Sequence, residues 1–206
     1  MKTFHDKAKL FFWLTAIILI FHTYVDNAEA QGPSYDCDNV KAGSIEEMIC
    51  TDKGLSALDR RLTEVYTIAI EKAVNEHPPI LKPEQRGWIK GRNDCWKSDD
   101  RRGCVQSTYK LRIAELQAKY RLVPGNGPVT YFCDGDPTIE VIATFFKTDP
   151  PTLIAEHGDQ VSLMYLQPSG SGSKYQGRNE SIWEHSGEAV ITWGYGSKKM
   201  RCVVRQ

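Results

Sequence analysis

The sequence predicts an α+β chain in two parts, a disulfide-tied helical segment followed by a small antiparallel β domain. Three observations predict it. Apolar residues recur at intervals of three and four from Asp36 to Leu122, and at intervals of two from Val129 onward. Pro124-Gly-Asn-Gly-Pro128 punctuates the chain where the period changes. All six cysteines (Cys37, Cys50, Cys95, Cys104, Cys133 and Cys202) follow a secretory signal, and an even count in an exported chain points to disulfides. The expected division is a signal at 1–30, a helical domain at 31–123, a linker at 124–128 and a β domain at 129–206.

The signal is read from Lys2, Lys7 and Lys9 ahead of the apolar run Leu10–Phe21, with Ala28-Glu-Ala30 as the cleavage site. The run is about a dozen residues, short of the ~20 that a spanning helix needs. An uncleaved anchor is the alternative, because His22 to Val25 carries no fixed charge and lengthens the run. With cleavage, the mature protein is periplasmic and keeps no stable membrane anchor. No cysteine stands at the cleavage point to take a lipid.

The helical elements follow in order. Ser44-Ile-Glu-Glu47 fits a capping box. Leu55, Leu58, Leu62, Val65, Ala69 and Ala73 form one helix face, stopped by His77-Pro78-Pro79. Pro83 opens a helix carrying Trp88 and ending near Cys95, and Val105, Tyr109, Ile113, Leu116 and Tyr120 mark another face. The local pairs Cys37–Cys50 and Cys95–Cys104 are favoured among the three connectivities that four cysteines allow.

Strands are expected at 129–133, 139–146, 152–156, 160–166, 180–185, 189–193 and 200–205, with hairpin turns at His157-Gly158-Asp159 and Tyr195-Gly196-Ser197. Seven or eight short strands make a small barrel or sandwich. A Cys133–Cys202 bridge would tie its first strand to its last, worth on the order of 4 kcal/mol. Pro168–Gly177, rich in Ser and Gly, interrupts the ladder and is expected as a long rim loop.

Composition narrows the function classes. Lys+Arg and Asp+Glu are both 26, so neither nucleic acid nor an anionic membrane is implied as a partner. From Pro124 onward, seven basic and nine acidic residues lean mildly toward a cationic partner. Ser171-Gly-Ser-Lys174 formally matches S-x-x-K, but that nucleophile needs a helix, which glycine and serine disfavour, and no S-D-N or K-T-G partner accompanies it. His77, His157 and His185 form no metal-ligand grouping, and Asp134-Gly-Asp136 lacks the later ligands of a calcium loop. No enzyme, cofactor or metal is expected.

Tyr131-Phe-Cys133-Asp-Gly135, Ser171-Gly172-Ser-Lys-Tyr175, Trp183 with Gly187-Glu188-Ala189, and a late Cys202 occur in an order that resembles the MliC/PliC family of c-type lysozyme inhibitors. The resemblance spans Val129 to Gln206 and implies an antiparallel β-barrel of about eight strands. It also implies that the Ser171-Gly172 loop enters the lysozyme cleft, a serine hydroxyl meeting the catalytic carboxylates. Ser171, Gly172, Lys174, Tyr175 and His185 are then the partner-binding candidates. Ser171 is a short donor, Gly172 gives freedom of approach, Lys174 a charge-assisted contact and Tyr175 a rigid aromatic anchor.

One departure stands out. The family carries Trp-x-Lys where this chain reads Trp183-Glu184-His185. Histidine is mostly neutral at pH 7, which implies a weaker contact to a carboxylate there and a stronger one in acid. Glu184 is expected either to support His185 or to repel an acidic cleft.

The helical half is similar to the LprI-type domain through Asp36-Cys37, Ile49-Cys50, Leu58-Asp59-Arg60-Arg61-Leu62, Trp88, Arg92, Cys95, Cys104 and Tyr109–Leu116. The functional expectation is a periplasmic inhibitor of c-type lysozyme. The alternative is a non-inhibitory envelope interaction or structural module.

Overall fold

A computed structural model describes residues 32–204. The signal reading of residues 1–30 lies outside them. Among the described residues four α-helices come first: α1 (Ile45–Thr51), α2 (Lys53–Lys72), α3 (Leu81–Asn93) and α4 (Arg101–Lys119). Among the described residues no helix is long and apolar enough to cross a membrane.

The caps explain where the helices start. Ser44 Oγ accepts from the Glu47 N–H at 3.1 Å, while the Glu47 carboxylate takes the Gly43 N–H at 2.6 Å, one residue earlier than a strict capping box. Asp52 caps α2 through the Leu55 N–H and also pairs with Arg102 at 2.7 Å, tying the start of α2 to that of α4. The faces expected from periodicity are buried: Leu55, Leu62, Val65 and Ala69 on α2 pack against Val105, Tyr109, Ile113 and Leu116 on α4.

The residues that carry the LprI resemblance meet in one buried network. Arg92 donates to Tyr109 Oη at 2.8 Å and to Glu46 at 3.2 Å, and Tyr109 donates to Asp59 at 2.7 Å. Asp59 also accepts from the Ser34 N–H at 2.7 Å and from its hydroxyl. The Arg92 guanidinium lies 5.6 Å from the Trp88 ring and 5.7 Å from the Tyr109 ring. Burial drives the Tyr109 hydroxyl well above its ordinary value, so it stays a proton-bearing bridge between Arg92 and Asp59. Disulfides Cys37–Cys50 and Cys95–Cys104 close the two local loops, as expected.

The second half is a closed antiparallel barrel in simple sequential order. Its strands are β1 (Gly125–Cys133), β2 (Asp136–Phe146), β3 (Thr152–His157), β4 (Gln160–Gln167), β5 (Ser173–Gln176), β6 (Ser181–His185), β7 (Glu188–Thr192) and β8 (Lys199–Val204). Two details depart from the sequence reading. β1 starts at Gly125, inside the stretch read as a linker, because Gly125 and Asn126 already pair with Phe146 and Phe145. Ser173–Gln176 is a strand rather than loop, pairing with β4 on one side and β6 on the other. The rim loop therefore shrinks to Pro168–Gly172.

Alternation sorts the barrel residues. Tyr131, Val141, Leu153, Met164, Ile182 and Ile191 fill the interior. Cys133 and Cys202, directly opposed on β1 and β8, form the expected disulfide and close the ladder. α4 packs on the outside of β2, β3 and β4, with Ala118 buried against Phe146 and Ile154. Tyr165 Oη donates to the Leu111 carbonyl at 3.2 Å, and Lys110 pairs with Asp149 at 3.1 Å. The two halves thus share an apolar contact with a polar edge.

Candidate functional site

The loop Pro168–Gly172 joins β4 to β5 and is not slack. Ser169 Oγ donates to the Gly172 carbonyl at 2.8 Å. The Trp183 indole N–H donates to the Ser171 carbonyl at 2.9 Å, drawing the loop against the outer face of β6. Gly172 makes this approach possible. Its φ is +65°, and a Cβ there would lie 2.2 Å from the Glu184 carbonyl oxygen and 3.1 Å from His185 Cβ. Only glycine lets the loop lie that close to the strand.

The consequence for Ser171 is specific. Its carbonyl is held, its side chain is exposed, and its hydroxyl has no partner among the described residues. The loop presents an unbonded O–H from a backbone position that is itself held.

Strand register places the other candidates. Lys174 on β5 faces Trp183 on β6, and both are exposed on the outer wall. His185, two residues beyond Trp183, is exposed on that same wall opposite Glu188 of β7. Ser171, Trp183 and His185 share a groove of about 530 Å³ that continues over Glu188 and Val190 to Arg201 and Val203 on β8. Sequence reasoning missed Arg201. Alternation around the inward Cys202 marks it as outward, but nothing local joins it to a loop thirty residues earlier; only the β6–β7–β8 register does so.

Two expectations are revised. Tyr175 is no rim anchor: it is only 8% exposed and packs edge-on against Phe145 at 5.6 Å inside the barrel. The cause is the strand at 173–176, in which alternation sends Lys174 outward and Tyr175 inward. Burial raises the Tyr175 hydroxyl above its ordinary value. Glu184, for its part, neither supports His185 nor faces outward. It lies on the opposite side of β6 from Trp183, its carboxylate accepting from the Gly187 N–H at 3.3 Å. Its charge is felt instead by Tyr131, whose hydroxyl burial and Glu184 together push up to about 12.

Comparison with known proteins adds to this geometry. Residues 131–200 match the model of the MliC family, described as membrane-bound lysozyme-inhibitor of c-type lysozyme. Lipoprotein LprI of Mycobacterium tuberculosis is 32% identical over 164 residues, 78% of this chain and 79% of that protein, and Lipoprotein LprI of Mycobacterium bovis matches equally. The chain belongs to the LprI family. No solved structure gives a significant match.

The LprI relationship covers both halves, whereas the MliC match lies entirely within the barrel. Its span includes the Ser171 loop, Trp183 and His185 and stops just short of the groove's β8 side at Arg201 and Val203. The buried Arg92 network belongs to the other half. There Arg92 and Asp59 have protein partners and little exposure, which suits them to holding helices together.

Proposed function

We propose that the protein is an inhibitor of c-type lysozyme, exported to the bacterial envelope, that acts by placing the Ser171–Gly172 loop in the lysozyme active-site cleft. The observation that carries this reading is the unengaged Ser171 hydroxyl on a loop clamped by Trp183. A glycosidase cleft holds two carboxyl groups flanking the scissile bond. Excluding water from them requires donors in its place. Ser171 supplies an O–H, and Lys174 lies one strand over on the same wall to add charge. Inhibition here is occupancy, with no bond made or broken.

Pre-shaping of the loop favours tight binding, since ordering entropy is met on folding rather than on association. The MliC description of the barrel and the LprI relationship support the same reading. The direct test mixes the exported protein with a c-type lysozyme and follows cell-wall lysis. Inhibition is expected, weakened about tenfold or more by Ser171→Ala, which removes one charge-assisted hydrogen bond. Unimpeded lysis at micromolar excess would end the proposal.

A further inference from the structure

Beside the loop, the barrel's outer wall carries a row of side chains that runs on past the Ser171 contact as far as Arg201. Lys174, Trp183, Val190 and Arg201 lie in one cross-strand row over β5, β6, β7 and β8. Trp183 is 47% exposed, and Val203, in the neighbouring row, is 48% exposed. Arg201 is exposed and forms no ion pair among the described residues; its backbone N–H, not its guanidinium, is the group that bonds Asp134 at 2.9 Å. Two strand spacings separate Arg201 from Trp183, about 10 Å between Cα atoms. The smaller Val190 between them leaves the groove open for the guanidinium to lean over.

Trp and Arg are among the residue types that carry most interface energy. Folding leaves the Arg201 guanidinium without an ion pair among the described residues and leaves the Trp183 ring face half exposed, although its indole N–H is taken by Ser171. The geometry points to the β6–β8 wall as a second docking strip for the same lysozyme, in which Arg201 grips a surface carboxylate beside the cleft and Trp183 packs under it. This inference rests on the inhibitor reading and extends it from a single inserted loop to a two-point contact. The chemistry selects the partner group. A planar guanidinium pairs with a carboxylate through two parallel hydrogen bonds, a geometry that a lysine ammonium lacks. His185, Glu188 and Val203 form the neighbouring row, with Glu188 diagonal to Arg201, while Lys174 and Arg201 mark the two ends of the row that holds Trp183.

The test compares Arg201→Ala, Arg201→Glu and Arg201→Lys with the parent exported protein. Inhibition constants against a c-type lysozyme are measured at low and high salt, and thermal unfolding checks that each variant folds. Lys82→Ala, exposed on α3 in the helical half, is the control. The expected result is about tenfold weaker inhibition for Ala, a larger loss for Glu, partial rescue by Lys, a flatter salt dependence for Ala and no change for the control. Arg201 variants within twofold of the parent, while Ser171→Ala remains impaired, would overturn the second strip and leave the loop reading standing. A parent protein that neither binds nor inhibits lysozyme would overturn both.

Discussion

Gly172→Ala perturbs the site where the loop backbone lies closest to β6. The new methyl would stand 2.2 Å from the Glu184 carbonyl oxygen, a backbone atom of a strand paired on both sides. That oxygen has no room to retreat, so the loop must move. Keeping the loop in place would add the left-handed strain of a non-glycine residue, about 1–2 kcal/mol, to the clash. Releasing it loses the Trp183–Ser171 hydrogen bond, about 0.5–1.5 kcal/mol. Release is the cheaper course, so global stability should fall by only about 1 kcal/mol. Inhibition should suffer more. Ordering two freed residues again on binding costs about 2–4 kcal/mol, roughly 30-fold or more in affinity. Urea unfolding and a lysozyme turbidity assay on the same preparation separate the two effects. Inhibition within threefold of the parent would refute the idea that the clamped loop geometry matters.

Further outcomes follow from other contacts. Trp183→Phe keeps the ring but removes the N–H that holds Ser171, and should weaken inhibition about tenfold while unfolding stability changes by less than about 1.5 kcal/mol. Removing both Cys133 and Cys202, 69 residues apart and opposed on the barrel's closing strands, should lower stability by about 4 kcal/mol in a denaturant titration. Tyr109→Phe strands Arg92 and Asp59 in the helical half and should cost about 1–3 kcal/mol in the same titration, with inhibition by the intact barrel retained. The Asp52 carboxyl is held below its ordinary value, first by Arg102 and then by the Leu55 N–H. Because its folded pKa is lowered, the stability it contributes is present above about pH 4 and is lost as the pH falls through the folded value. Asp52→Asn should therefore show a smaller acid-induced drop in melting temperature than the parent.

Period alone carried most of the fold. The α2 and α4 faces and the inward residues of β1, β2, β4 and β6 stand where intervals of three to four or of two place them. The Ser/Gly-rich run was legible as a rim loop but not in its true length. Ser173–Gln176 has no apolar alternation beyond Tyr175, and it becomes a strand only because β4 and β6 offer edges on both sides. That same hidden strand turned Tyr175 into a core residue. The groove was less legible still: Ser171, Trp183 and Arg201 are far apart in sequence and adjacent only through the closed order of strands. The inward turn of Glu184 follows from alternation alone, yet acquires meaning only when the wall bearing Trp183 is known to face out.

The measurement that bears most directly on the central proposal is a crystal structure of the protein bound to a c-type lysozyme. The expected complex has the Ser171 hydroxyl about 3 Å from a catalytic carboxylate, with the loop still clamped by Trp183. A complex in which lysozyme sits elsewhere on the molecule and its cleft stays open to water would contradict it.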